Sequence, residues 1–117
     1  MNFTPIIKPV FGHRVKHISR YATHAEQIQR DVLKRLVETA SATEWGIKHS
    51  YSGILNYEQF AKKVAVQDYE SLKGYIDRMR QGEKDVLWKG RCKWFAKSSG
   101  TTNDKSKFIP VTPQGLQ

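Results

Sequence analysis

The sequence predicts a mainly α-helical polypeptide that ends in a β-hairpin, and three observations lead to this prediction. Apolar residues recur at helical spacing through residues 26–42 and 68–82. Aromatic and β-branched residues form two short runs, Trp94–Ala96 and Phe108–Val111, of the type found in strands. The stretch between these runs, residues 97–107, is polar throughout and therefore predicts the loop of a strand-loop-strand region over residues 91–112.

The first segment, residues 1–25, predicts a basic helix. It contains lysines and arginines, whereas the first acidic residue of the chain is Glu26. A solvent-exposed helix face is the simpler interpretation of such a charge run. An organellar transit peptide is the alternative, because transit peptides are also rich in arginine and poor in acidic residues.

A helical region is predicted for residues 26–82, and it begins with the strongest helical pattern of the chain. Apolar residues follow the helical period from Glu26 to Ala42. The polar run Ser41–Thr43 and then Gly46 are typical of a helix end, so we expect this helix to close there.

Two further helices are predicted in this region from their first residues. Asn56 is a favourable N-cap for a short helix from Tyr57 to Val64. Asp68 is a favourable N-cap for a longer helix. We expect that helix to end at Gly82, because glycine readily adopts the left-handed conformation found just after a helix.

The composition is that of a small basic chain, a single domain or part of one. It has 117 residues, a formal net charge of +9 and an isoelectric point near 9.8. No apolar run reaches the roughly 18 residues of a membrane-spanning helix, so we expect no membrane partner and a cytoplasmic location. Nucleic-acid binding is one alternative suggested by the charge, although the basic residues are spread along the chain. A non-catalytic interaction module is another.

The predicted hairpin loop carries the chemistry of a phosphate-binding site. Ser98–Thr102 places four hydroxyl side chains and one glycine together, with Lys97 before them and Lys105 and Lys107 after them. Phosphate oxygens are bound by N–H groups, hydroxyls and cations of this kind. The loop differs from the P-loop of ordinary NTPases, because Lys105 and Ser106 stand where that pattern needs Gly and Lys. A flexible surface loop of ordinary composition remains the alternative interpretation.

Three segments resemble a known family. Trp94–Thr112 (WFAKSSGTTNDKSKFIPVT) looks like the first nucleotide motif of the auxin-responsive acyl-acid amido synthetases, the Gretchen-Hagen-three family of the adenylate-forming superfamily. Ala42–Lys48 (ATEWGIK) and Asp68–Trp88 (DYESLKGYIDRMRQGEKDVLW) are similar to two other segments of that family. The segments follow in the family's order and cover most of residues 26–112.

The resemblance implies a set of residues that line the phosphates of ATP. These are Ser98, Ser99, Gly100, Thr101 and Thr102, with Lys107 as the cation. The wider superfamily usually has Gly after the second threonine and a Pro-Lys pair shortly afterwards, whereas this chain has Asn103 and Lys105–Lys107. The choice between Lys105 and Lys107 as the phosphate ligand therefore stays open.

The resemblance also implies a reaction and a place within a larger protein. The family uses ATP, with Mg²⁺, to adenylate a carboxylic acid, and then forms an amide with an amine or amino acid. The parent fold is α/β, and residues 1–117 would be one N-terminal fragment of its adenylate-forming domain, inactive alone. The remainder of the polypeptide would then be a partner, and we expect a truncation because the chain stops soon after a strand. The catalytic residues are unknown from this sequence.

Histidines and the single cysteine are candidates for other chemistry. His13 and His17 have the helical spacing of zinc ligands, but the glutamate of a zinc-protease motif is missing between them, so no metal site is predicted. Cys92 lies between Arg91 and Lys93, and basic neighbours are typical of reactive cysteines. No base is evident beside it, so we interpret Cys92 as a small apolar residue of the strand region.

Overall fold

Helices dominate the structure, a computed structural model that describes the backbone of residues 4–100 and 105–116 and the side chains of residues 12–100 and 105–116. The chain divides into two units, residues 1–33 and 34–117. Its helices are α1 (Thr4–Thr23), α2 (Ala25–Ala40), α3 (Glu44–Lys48), α4 (Tyr57–Lys63) and α5 (Tyr69–Arg80). Its strands are β1 (Trp94–Lys97) and β2 (Phe108–Val111), and single 3₁₀ turns lie at Tyr51–Gly53 and Pro113–Leu116. The predicted mainly helical chain with a terminal hairpin is confirmed.

The first unit contains α1 and the first part of α2. Only His24 separates the two helices, and backbone bonds continue across it, from the His24 N–H to the Arg20 carbonyl at 2.9 Å and from the Ile28 N–H to the His24 carbonyl at 3.0 Å. Within residues 12–27 of this unit every side chain is exposed. The described side chains of α1 are therefore solvated.

The second unit is built around a small apolar core. Met79 of α5, Val86 and Cys92 are all buried, and Leu87 and Phe95 pack against them. The Cys92 thiol donates to the carbonyl oxygen of Trp94 at 3.2 Å. The core therefore joins α5 to the start of the hairpin, and Cys92 is the small apolar residue that the sequence predicted.

Helix α3 was not predicted, and it corrects the interpretation of Gly46 as a helix stop. Thr43 is the N-cap of α3: its hydroxyl donates to the Ala40 carbonyl at 2.6 Å and accepts from the Gly46 N–H at 3.0 Å. Gly46 lies inside α3 and is buried, and a Cβ at this position would collide with the carbonyl oxygen of Ala40. The glycine is needed for close approach of α3 to the end of α2, a role that sequence spacing does not reveal.

The segment after α5 is tied to α3 by the main chain. The N–H groups of Glu44 and Trp45 donate to the carbonyls of Asp85 and Val86 at 2.8 and 3.0 Å. These bonds satisfy N–H groups in the first turn of α3, which find no acceptor within the helix itself. They also bring Val86 into the core, where it is 1% exposed.

An arginine on α5 reinforces the same junction. Arg78 forms a bidentate pair with Glu44, with N–O distances of 2.9 and 2.6 Å, and also contacts the Glu83 carboxylate at 2.7 Å. Hydrogen bonds from Arg78 lower the pKa of Glu44, and those to Glu44 and Glu83 raise the pKa of Arg78. The pair links α3 to α5 at a partly exposed position, so its contribution is reduced by solvent screening.

The predicted caps of the other helices are confirmed. Asn56 accepts from the Gln59 N–H at 2.9 Å at the start of α4, and Asp68 accepts from the Ser71 N–H at 2.8 Å at the start of α5. Gly82 follows α5 with φ +98°, the left-handed conformation expected there.

The two strands form the antiparallel hairpin predicted from the sequence. Their register pairs Trp94 with Val111 and Lys97 with Phe108. The loop therefore begins at residue 98 and returns at residue 107. In the described part of the chain, no helix is both long and apolar enough to cross a membrane.

Replacing Gly46 by alanine should destabilise the chain by about 2–3 kcal/mol, because the added methyl group forces α3 away from α2. Gly74→Ala is the matched control, since nothing lies within 4 Å of a Cβ at that helical position and alanine is the better helix former by up to about 1 kcal/mol. Urea unfolding followed by circular dichroism measures both. Equal effects of the two substitutions would contradict the close-approach role of Gly46.

The Glu44–Arg78 pair should make stability depend on pH in the acidic range. Because the pKa of Glu44 is lowered from its ordinary value of 4.5, the unfolded chain binds this proton first as the pH falls. The stabilisation is therefore present above pH 4.5 and is lost as the pH falls through the lowered value. We expect the melting temperature of Glu44→Gln to lie below that of wild type at pH 7, and the difference to shrink towards pH 3. A difference independent of pH would contradict this; Glu58→Gln, at an exposed carboxylate on α4, is the control.

Candidate functional site

The loop that the sequence assigned to phosphate binding is closed by two hydrogen bonds at its root. The Ser98 N–H donates to the Lys107 carbonyl at 2.9 Å, and the Lys107 N–H donates to the Ser98 hydroxyl oxygen at 3.0 Å. The second bond uses a side chain in place of a ladder carbonyl. Ser98 thus helps to close the loop through its oxygen, while its hydroxyl proton is still able to donate.

The other predicted site residues follow from this root. Ser99 and Gly100 come directly after it and are exposed, so their hydroxyl and backbone groups are accessible. Lys107 is on the opposite side of the root and is also exposed. Thr101 and Thr102 lie outside the described residues. The structure therefore brings together Ser98 and Lys107, the two ends of the predicted set.

The returning side of the loop is held by the first residue of α5. The Phe108 N–H donates to the Tyr69 hydroxyl oxygen at 3.0 Å, and Tyr69 is half-buried. The Lys107 ammonium lies 5.6 Å from the centroid of the Tyr69 ring, within the range of a cation–π interaction. One tyrosine therefore contacts two consecutive residues at the root of the loop.

The carboxylate beside Tyr69 belongs to Asp68, the N-cap of α5. Hydrogen bonds from the backbone and side chain of Ser71 lower its pKa, and the charge of Lys107 adds a smaller effect in the same direction. No carboxylate of the described residues lies within ion-pair distance of Lys107. Among the described residues, the ammonium of Lys107 is therefore held by an aromatic ring and not by a carboxylate.

Two more basic side chains lie near the ring of Phe108, the first residue of β2. The Arg80 guanidinium carbon lies 3.6 Å from the centroid of the Phe108 ring, and the Lys97 ammonium lies 5.9 Å from it. Arg80 also forms an ion pair with Asp77 at 3.7 Å, so the positive charge beside the loop comes mainly from Lys97 and Lys107, and it suits a polyanion. Lys105 is exposed two residues before Lys107, so both lysines remain candidates for contact with phosphate.

Sequence reasoning missed Tyr69 and Arg80 as members of this site. Each has an ordinary local explanation, as the first and last residue of an amphipathic helix. Tyr69 meets Phe108 across 39 positions, and no local pattern reports such a contact. Arg80 has a partial signal, since arginine stacking on an aromatic ring is common, but its partner cannot be identified from spacing.

A separate groove lies in the second unit. It has a volume of about 840 Å³ and an apolar lining that includes Leu36, Met79, Leu87 and Trp88. The Trp88 indole donates to the Gln114 side-chain oxygen at 3.4 Å near the rim. Arg35 is the charged residue of the lining, so the groove offers surface for apolar groups rather than a cluster of reactive side chains.

The histidines and metal ligands form no further site in the part of the chain that the structure describes. The rings of His13 and His17 are 5.7 Å apart on an exposed face of α1. Among the described residues, no three His, Cys, Asp or Glu side chains come together as they would around a metal ion.

Comparison with known proteins identifies relatives over most of the chain. The family model of the GH3 family N-terminal domain matches residues 14–117. An indole-3-acetic acid-amido synthetase of Arabidopsis thaliana is 32% identical over 96 residues, covering 81% of this chain and 16% of that protein. A jasmonoyl-L-amino acid synthetase of Nicotiana attenuata is 30% identical over 94 residues, covering 80% and 16%.

A third relative has a different acid in its name. It is a 4-substituted benzoates-glutamate ligase of Arabidopsis thaliana, 28% identical over 108 residues, covering 89% of this chain and 19% of that protein. The chain thus spans less than a fifth of the length of these curated relatives.

The hydroxyl of Ser98 should protect the backbone of Lys107. Ser98→Ala removes the acceptor of the Lys107 N–H, and the loss of one hydrogen bond of about 1 kcal/mol should speed exchange of that amide with solvent about fivefold. Hydrogen exchange of the Lys107 amide by NMR measures this, with Ser99→Ala as the control at the next, exposed serine. Unchanged exchange in Ser98→Ala would contradict the role of this hydroxyl at the root of the loop.

Proposed function

The chain belongs to the GH3 family, and from this premise we propose that it supplies the ATP phosphate-binding loop of an acyl-acid amido synthetase. The resemblance stated from the sequence is confirmed at the level of the family. The observation that carries the proposal is the root of the hydroxyl-rich loop, where Ser98 is hydrogen-bonded to Lys107 and where Lys97 and Lys107 each lie near an aromatic ring.

The proposed reaction has two steps. In the first, a carboxylate oxygen of the acid attacks the α-phosphorus of ATP, and the bond from that phosphorus to the bridging oxygen of the β-phosphate breaks. The products are an acyl-adenylate and pyrophosphate. In the second, the nitrogen of an amine or amino acid attacks the acyl carbon, a proton leaves the nitrogen, and AMP departs as the amide forms.

The residues of this chain would act in the first step by binding and by stabilising charge. Negative charge moves onto the pyrophosphate as the bond breaks, and fixed hydroxyl, N–H and cationic groups lower the energy of that change. Ser98, Ser99, Gly100, Thr101 and Thr102 would supply the donors, and Lys107 a positive charge. None of them needs to act as a nucleophile, which agrees with a loop that has no histidine or cysteine.

The chemistry of the donor set fits the phosphates of a nucleotide. Ser99 and Lys107 are exposed. Arg80 and Lys97 lie near the ring of Phe108, the residue after Lys107. We propose that Mg²⁺ accompanies ATP, because Mg²⁺ in nucleotide sites is held largely by the substrate phosphates and water. The bound Mg²⁺ would neutralise part of the negative charge of the phosphates. No cluster of three metal ligands among the described residues would hold the ion without the nucleotide.

The acid and the amine are proposed by class only. The names of the relatives include indole-3-acetic acid, a jasmonoyl group and substituted benzoates, and two of the names also include glutamate or an L-amino acid. We propose a small carboxylic acid and an amino acid for the protein that contains this chain. The 117-residue chain alone should be inactive, because it spans less than a fifth of the length of those relatives.

Acid-dependent exchange of pyrophosphate into ATP tests the adenylation step. The protein encoded by the full reading frame should exchange with at least one acid of a broad panel. The double substitution Thr101→Ala/Thr102→Ala should lower kcat/KM at least about 100-fold, the effect of losing fixed donors to developing charge. Ser52→Ala, an exposed hydroxyl in the turn after α3, is the control and should leave exchange unchanged.

Two results would contradict the proposal. A folded wild-type protein that neither exchanges pyrophosphate with any acid nor binds ATP would exclude the synthetase, and salt-sensitive retention on DNA would then favour nucleic-acid binding. Full exchange activity in the double variant would instead place the phosphate site elsewhere in the protein.

A further inference from the structure

We infer that Tyr69 is a positioning residue for the phosphate loop, one that fixes Lys107 and the returning backbone before ATP binds. The inference rests on the proposed function and goes beyond it, because Tyr69 lies on α5, 29 positions before Ser98, and is not part of the loop motif. Its role would be exerted through Lys107 and not through contact with the nucleotide.

The backbone contact follows from the register of the hairpin. Residues 98 and 107 form a hydrogen-bonded position, so the next pair, Lys97 and Phe108, is one whose N–H groups point away from the partner strand. The Phe108 N–H therefore faces outwards and would need water as its acceptor. The Tyr69 hydroxyl oxygen takes this bond at 3.0 Å and fixes the edge of β2 to the start of α5.

The side-chain contact concerns the cation. The Tyr69 ring lies 5.6 Å from the Lys107 ammonium, and the backbone of Lys107 is held on both sides, by Ser98 and by the bond at Phe108. A free lysine side chain samples many rotamers, and binding a phosphate would restrict them at a cost in entropy. A lysine already held over a ring loses less freedom when the phosphate arrives.

The start of α5 is itself well fixed, which makes it a suitable anchor. Asp68 accepts from the backbone N–H of Ser71, and the Ser71 hydroxyl donates to the Asp68 carbonyl at 2.9 Å. At the other end of the helix, Met79 is buried in the core. Tyr69 therefore fixes the root of the exposed loop to a helix that is itself packed in the core.

The test uses the full-length protein and ATP–pyrophosphate exchange at saturating acid. Tyr69→Phe removes only the hydroxyl, and one hydrogen bond predicts a rise in KM for ATP of about two- to tenfold. Tyr69→Leu also removes the ring and should raise KM further, to about 5- to 50-fold, with kcat changed less than twofold. Tyr57→Phe and Tyr57→Leu are matched controls, because Tyr57 is the 72% exposed first residue of α4.

The split between KM and kcat separates positioning from stability. A purely structural role of Tyr69 would reduce the fraction of folded enzyme, which lowers the apparent kcat and leaves KM for ATP unchanged. That result for Tyr69→Phe and Tyr69→Leu would overturn the inference. A raised KM for ATP with an unchanged KM for the acid is the expected result.

A double-mutant cycle tests whether Tyr69 acts through Lys107. In a Lys107→Met background, Tyr69→Leu should raise KM for ATP less than half as much as in wild type, because the cation it positions is gone. Additive effects of the two substitutions would overturn this route. The two proposals fail in different ways. Absence of exchange in the wild-type protein contradicts the proposed function. Normal exchange in wild type, with KM for ATP unchanged in the Tyr69 variants, contradicts only the role of Tyr69.

Discussion

Gly46 lies so close to the carbonyl oxygen of Ala40 that the end of α2 and the body of α3 can meet only where one of them has no side chain. Much of the second unit depends on this approach. It places Thr43 where its hydroxyl donates to a carbonyl of α2 and accepts from an N–H of α3. It also directs the first N–H groups of α3 towards the carbonyls of Asp85 and Val86. Val86 then enters the core beside α5, and the same helix carries the residue that contacts the loop.

Local patterns predicted much of the fold and less of the site. The long helices, the caps at Asn56 and Asp68 and both strands were predicted because each depends on neighbouring residues. Helix α3 was missed, since five residues give little periodic signal and a glycine near a helix end is usually a stop. Tyr69 was missed because its contact with Phe108 depends on how α5 packs, which no local pattern records.

The basic side chains of this chain differ in the groups that they contact. On α1, Arg14, Lys16 and Arg20 are simply exposed, whereas Arg78 is paired with two carboxylates of the second unit. At the hairpin, Lys97 and Lys107 instead lie on aromatic rings. A ring attracts a cation without neutralising it, so charge held in this way remains available to a ligand, while charge held by a carboxylate does not.

The two edges of the hairpin differ in the backbone groups that they offer to an added strand. Along β2, the outward N–H of Phe108 is already bonded to Tyr69 and Pro110 has no N–H, so this edge offers no donor to a neighbour. Along β1, the register directs the backbone groups of Phe95 and Lys97 outwards. A strand added beside β2 would find carbonyl acceptors alone, whereas one added beside β1 would find both N–H and carbonyl groups. The edge next to α5 is therefore the one better protected from aggregation by strand pairing.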